Sequence, residues 1–259
     1  MKEVAAHFTV RLAETEADLL ASQRLRYQVF VSELGGDGPL VDHEGQFERD
    51  EFDPFYEHLV LVDTRRNPEN LDHVIGVYRL LSSEGAAKLG RYYSEDEFDL
   101  TKLRESGLKL LELGRSCVSA EHRGGTAMFL LWNALAGYVL SRDYQILFGV
   151  ASFHGVDTKS LAMPLSHLYH NHLAPPELRV TARGENAHAM DIIKSENIER
   201  VSAMKSTPAL IKAYLRLGGF VGEGAFVDHA FNTTDICLIM DTTRMSQKHR
   251  KYYTERTEK

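Results

Sequence analysis

Between Leu111 and Ser152 the chain writes four elements in a fixed order. Leu111 to Val118 reads as a strand, Gly124-Gly125 as a tight turn, Thr126 to Leu140 as an apolar helix and Gln145 to Ser152 as a buried-type strand. A helix this apolar has to lie on a sheet, and two strands flanking it supply one. That unit excludes an all-helical bundle and an all-β sandwich.

The flanking sequence extends the same sheet. Phe8 to Leu12 alternates as a strand does, and Glu14 to Phe30 has helical spacing, with Leu19, Leu20, Leu25 and Val29 on one side. Gly35-Gly36-Asp37-Gly38-Pro39 breaks it. His58 to Asp63 and Val74 to Leu81 are strands joined as a hairpin through Arg65–Asn70. After Phe153, Pro164, Pro175 and Pro176 suggest a loop-rich section. Pro208 then opens a helix over Ala209 to Leu217, stopped by Gly218-Gly219, and Ile236 to Asp241 is a late strand. The expectation is an α/β fold with one mixed sheet, in a single domain over 1–243, followed by a basic tail over 244–259.

Composition narrows the function. A chain of 259 residues, 43% hydrophobic and 26% charged, is ordinary for a globular domain. No apolar run approaches the roughly 18–20 residues that span a bilayer. Two cysteines make no disulfide framework, and Met1-Lys2-Glu3-Val4 opens no signal peptide, so the cytoplasm is the expected compartment. A net charge of −7 argues against a nucleic-acid binder. The segment from Arg244 to Lys259 carries six Lys/Arg against two Asp/Glu. It fits an anionic membrane surface, an acidic partner or a solvated terminus.

Chemistry concentrates between Glu112 and Thr126. Glycines at a strand-to-helix turn let backbone N–H groups approach a ligand, and the helix N-terminus favours an anion. Arg123, Gly124, Gly125 and Thr126 therefore form a candidate phosphate cradle. Glu112 and Arg115 stand three apart, so they face opposite sides of a regular strand unless a bulge intervenes. Cys117 with His122 could be read as a nucleophile and base, but a strand cysteine is more often a buried hydrophobe.

A second constellation is Glu48-Arg49-Asp50-Glu51-Phe52-Asp53, beside the apolar strand Leu59–Val62. Arg79 lies inside another apolar strand, where a charge needs a partner. Glu48, Asp50 and Asp53 are the natural ones. An ion-pair lock and a catalytic part both fit this pattern. His167-x-x-His170-x-His172 has metal-like spacing without the Cys or acidic companions of a zinc site, so no metal is expected.

These residues resemble the GNAT superfamily of acyltransferases, in its acyl-carrier-protein-dependent branch. Arg26-x-x-Val29-Phe30, Glu48-x-Asp50-x-x-Asp53, Gly76-x-x-Arg79 and Glu112-x-x-Arg115 stand in the order of the acyl-homoserine-lactone synthases. Arg123-Gly124-Gly125-Thr126 is similar to a shortened GNAT pyrophosphate turn. A resemblance to the ornithine Nα-acyltransferases runs from about Phe8 to Asp241. It adds Phe148 to Gly155, His170 to Pro176, Pro208 to Gly218 and Phe231 to Asp235. The only tryptophan, Trp132, stands apart from the Arg-Phe segment, unlike in the lactone synthases. Asn171 to Glu177 also resembles the N-H-x4-D signature of glycerolipid acyltransferases, with Glu in place of Asp.

The resemblance implies a GNAT-like, mostly antiparallel sheet flanked by helices. It also implies transfer of a 3-hydroxyacyl group from acyl carrier protein to the α-amine of ornithine, giving lyso-ornithine lipid. The donor carries phosphopantetheine, and no cofactor is permanently bound. Glu112, Arg115 and Arg79 would then be catalytic. Glu48, Asp50, Asp53 and Arg26 would bind the acceptor. Cys117, Val118, Arg123, Gly124, Gly125, Thr126, Ser152 and His154 would bind the donor. Another amino-acid acceptor, such as glycine, lysine or glutamine, or a signal molecule of the lactone type, is the alternative product.

Overall fold

The computed structural model describes residues 7–244, so the basic tail beyond Arg244 lies outside the described residues. The strands are β1 (Phe8–Leu12), β2 (Glu57–Asp63), β3 (Val74–Ser82), β4 (Phe98–Asp99), β5 (Leu110–Val118), β6 (Ile146–His154), β7 (Thr181–Ala182), β8 (Ala187–His188), β9 (Phe220–Val221), β10 (Ala225–Asp228) and β11 (Thr233–Asp241). The chain divides into two compact units. One takes the described residues up to Leu89 and Leu113–Asp143, the other Gly90–Glu112 and the described residues from Tyr144.

In the first unit β1 pairs antiparallel with β2 and β2 antiparallel with β3, with β5 next in order. β2 and β3 are buried on both faces, as their unbroken apolar runs require. The helix Glu16–Arg26 begins at Thr15, whose hydroxyl accepts from the Asp18 N–H, while Asp18 closes a capping box. It ends four residues before the expected limit, Phe30, and continues as a π-helical turn over Tyr27–Glu33. Ala21 and Leu25 pack with Val60, Val62, Val74, Val77 and Cys117.

The apolar helix is Thr126–Ser141. It approaches β3 so closely that a Cβ on Gly76 would sit 2.8 Å from Leu131 Cδ1 and 3.3 Å from Leu61 Cβ. Glycine is there because a strand and a helix need that space. Leu131 and Leu135 are buried beneath it, each contributing about 2 kcal/mol of burial.

In the second unit Leu110–Glu112 pair parallel with Ile146–Phe148. β6 then runs antiparallel to β11 along its whole length, from His154 opposite Thr233 to Ile146 opposite Asp241. β10 follows on β11, β8 on β10, and β9 also pairs with β11. The proline-punctuated section is not all loop: Ala162–His172 is a helix. Pro164 falls in its first turn, where a missing N–H costs no helical hydrogen bond. Arg200–Ser206 is a further unforeseen helix, and Pro208 caps Ala209–Arg216 rather than opening it. Antiparallel pairing with one parallel step and helices alongside is the expected α/β class. Among the described residues no helix is long and apolar enough to cross a membrane.

Candidate active site

In the first unit, three arginines and three carboxylates from distant segments meet. Arg26 Nη1 lies 2.5 Å from Asp53 Oδ1, and Arg26 Nε pairs with Glu48 Oε2. Arg79 Nη1 lies 2.6 Å from Asp50 Oδ1 and 2.7 Å from Asp53 Oδ1. Arg115 Nε lies 3.1 Å from Glu48 Oε1, and its Nη2 is 3.5 Å from Asp50 Oδ2. Gln23 Nε2 donates to Asp53 Oδ2 at 3.1 Å. Arg79 also stacks 4.4 Å over the Tyr56 ring. Arg26 and Arg79 are fully buried.

Local chain chemistry builds this network. The Glu48 N–H donates to the Gln23 carbonyl, tying the acidic segment to the first helix. Asp50 accepts from the Phe52 N–H in a side-chain turn, and Asp53 opens a short 3-10 helix led by Pro54. Burial works against the Glu48 charge, but Arg26 and Arg115 outweigh it and hold its pKa near about 2. Asp53 is driven well below the carboxylate range by Arg26 and Arg79, again against its own burial. Burial disfavours the Arg79 charge, and Asp50 more than compensates, raising its pKa. Burial lowers His58 to about 4, so its imidazole is neutral at physiological pH.

Arg26, Arg79, Glu48, Asp50 and Asp53 are therefore brought together, with Arg115 as their third cation. Arg115 gets there by leaving strand geometry, with a left-handed φ of 47°. The acidic set is balanced by arginines of the chain itself, so it offers no surplus negative charge to a second cation.

Cys117 is buried, and burial pushes its thiol up to about 12. It stays protonated and is no nucleophile at neutral pH. Val118 is buried, and its carbonyl accepts from Arg123 Nε at 2.9 Å. Arg123 Nη1 pairs with Glu33 at 2.6 Å and is 45% exposed. Gly124 takes φ 73°, a value only glycine adopts freely, and Gly125 caps Thr126–Ser141. The first amides of that helix thus follow an arginine across a glycine turn.

In the second unit Glu112 is buried and accepts from the backbone N–H groups of Tyr93 at 2.9 Å and Ser94 at 2.6 Å. Such donors favour its ionised form. Ser152 and His154 are exposed on β6, opposite Asp235 and Thr233 of β11. The His167 ring packs edge-on to His172, and His170 bonds the Ile193 carbonyl. Burial lowers the pKa of both His167 and His172.

Sequence reasoning missed Glu97, Asp228 and Asp235, whose carboxylate oxygens lie within 4.8 Å of one another in the second unit. Their spacing along the chain gives no signal. The turn between β10 and β11 brings the two aspartates together, and Glu97 comes from a segment more than a hundred residues earlier.

A family model described as an acetyltransferase (GNAT) domain matches residues 25–133, which contain the arginine–carboxylate network and the glycine turn. An L-ornithine N(alpha)-acyltransferase from Rhodobacter capsulatus is 59% identical over 251 residues, covering 97% of this chain and 96% of that one. The chain belongs to the L-ornithine N(alpha)-acyltransferase family. A member from Brucella abortus is 39% identical, covering 94% of this chain and 88% of that one. Among solved structures, a CoA-dependent acyl-homoserine lactone synthase, BjaI, solved with MTA, covers 97% of this chain and 90% of that one. Its TM-score is 0.54 at 14% identity, which shows a shared fold. The GNAT class and the ornithine-acyltransferase family expected from the motifs are thus both found. In this family member the acidic segment and Arg79 form an ion-pair network.

Proposed function

We propose that this chain transfers a 3-hydroxyacyl group from acyl carrier protein to the α-amine of L-ornithine, making lyso-ornithine lipid. The observation that carries the reading is 59% identity over nearly the whole chain to a protein named for ornithine Nα-acylation. The α-ammonium first loses a proton. Its nitrogen then attacks the thioester carbonyl, the C–N bond forms, the C–S bond breaks, and the phosphopantetheine thiol leaves with a proton.

Glu112 is the proposed base, receiving the amine proton through water while Tyr93 and Ser94 hold its carboxylate in place. Backbone N–H groups at Cys117 and Val118 steady the oxyanion. Arg123 and the amides of Gly124, Gly125 and Thr126 meet the phosphate of the donor arm. Arg115, 13% exposed, receives the acceptor carboxylate. Arg26 and Arg79 position it through Glu48 and Asp50. On the donor side Ser152 and His154 contact the acyl arm.

The test incubates the purified protein with 3-hydroxyacyl carrier protein or 3-hydroxyacyl-CoA and an amino-acid mixture, and weighs the products. Acylated ornithine formed from the carrier-bound donor is expected. Equal rates from CoA overturn the carrier assignment, and a product on another amino acid overturns the acceptor.

A further inference from the structure

We propose that Glu97, Asp228 and Asp235, together with the Thr233 hydroxyl, receive the side-chain ammonium of the acceptor amino acid. The inference rests on the ornithine reading above and deepens it, because it assigns the residues that select a diamino acid.

Pairing places three of the four side chains on one face. Asp228 lies directly opposite Thr233, and Phe226 opposite Asp235. Residues opposite one another in an antiparallel pair project to the same side, and side chains repeat every second residue. Asp228, Thr233 and Asp235 therefore share a face. Across β6, His154 opposes Thr233 and Ser152 opposes Asp235, and both are exposed. The face thus opens to solvent at the end where the acids gather. Glu97 adds the third carboxylate, with its oxygen within 4.8 Å of the others.

Glu97 and Asp235 are buried, while Asp228 is half-buried. Three carboxylates held this close repel one another, and a cation among them removes that repulsion. Thr233 supplies an independent sign of a ligand. It is only 9% exposed, and its Oγ1 has no hydrogen-bond partner. Buried hydroxyls are rarely left so, and this one stands on the face that carries both aspartates.

The geometry suits an ammonium group. A tetrahedral –NH3+ donating at about 2.8 Å separates its acceptors by about 4.6 Å, within the 4.8 Å spread of the acids. The charge demand also has no other answer among the acids the motifs suggested. Glu48, Asp50 and Asp53 are matched by Arg26, Arg79 and Arg115. A side-chain amine that stays protonated at neutral pH needs carboxylates that are not already spent on arginines.

The experiment compares two acceptors, ornithine and 2-aminopentanoic acid, which is ornithine without its side-chain amine. The full-length protein and the Asp228→Asn and Thr233→Val variants are each assayed for kcat and KM with both. The wild type is expected to prefer ornithine, and Asp228→Asn to lower that preference ~10-fold or more, chiefly through KM. Thr233→Val moves it in the same direction by a smaller factor. A purely structural role lowers both acceptors alike and leaves the preference unchanged, which overturns the assignment. Loss of ornithine transfer on adding EDTA, restored by a divalent cation, also overturns it in favour of a metal. A wild-type protein that acylates neither compound overturns the ornithine reading itself.

Discussion

Arg79 holds Asp53 with the same nitrogen that holds Asp50: Nη1 lies 2.7 Å from one carboxylate and 2.6 Å from the other. Replacing Arg79 with Met keeps the stem packed on Tyr56 and removes the charge. Two carboxylates then face each other in a buried site with one cation fewer. Denaturant unfolding of the Arg79→Met protein is expected to show a loss of about 3–5 kcal/mol. A loss below about 1 kcal/mol would mean that the network contributes no more than a surface pair.

Acid should weaken the first unit in two stages. The folded pKa of His58 is lowered from 6.5 to about 4, so the unfolded chain binds its proton first. Its contribution is present above pH 6.5 and is lost as pH falls toward 4, costing about 3 kcal/mol in all. The folded pKa of Glu48 is lowered from 4.5 to about 2. That contribution is present above pH 4.5 and is lost as pH falls through 2. Stability measured from pH 7 to pH 3 should therefore begin to fall near pH 6.5. In a His58→Asn protein the decline should begin nearer pH 4.5. The same onset in both proteins would remove His58 from the account.

Gly76 should resist even a methyl group. Its Cβ would lie 2.8 Å from Leu131 Cδ1 and 3.3 Å from Leu61 Cβ. Gly76→Ala is expected to cost about 1–3 kcal/mol by overpacking. Pairing it with Leu131→Ala should cost less than the sum of the two, and strict additivity in a thermal unfolding cycle would show that the two sites do not touch.

Glu112→Gln separates chemistry from anchoring. If Glu112 takes the amine proton, turnover falls ~10²–10⁴-fold and the acid limb of the pH–rate profile disappears. The amide also turns a donor toward the Tyr93 and Ser94 N–H groups, so some stability is lost as well. Lower stability with near-normal turnover and an intact acid limb would leave Glu112 an anchor only.

Much of this was readable in the chain because the strands beside the helix Thr126–Ser141 are continuous apolar runs, which leave few alternatives. β2, β3, β5 and β6 all start within one residue of their expected positions. β11 starts three residues early, at Thr233-Thr234-Asp235, which hydropathy reads as loop. These polar residues are tolerated inside because partners exist, as where Thr234 Oγ1 donates to the Gly155 carbonyl. The arginine in an apolar strand announced that it needed acids, and the nearby acidic segment named them. Nothing local announced that Arg115 would turn back into the same network, since that depends on one residue with positive φ. The grouping of Glu97, Asp228 and Asp235 was invisible for a related reason: it exists only once a hairpin register is set.

The balanced set of Arg26, Arg79 and Arg115 against Glu48, Asp50 and Asp53 constrains how such a chain can drift. Any one charge lost leaves an odd charge in a dry interior, whereas losing an opposite pair together restores neutrality. Relatives that abandon this network should therefore have changed it in matched pairs. Each intermediate with a single change crosses a fitness valley, which gives these six positions strong mutual epistasis.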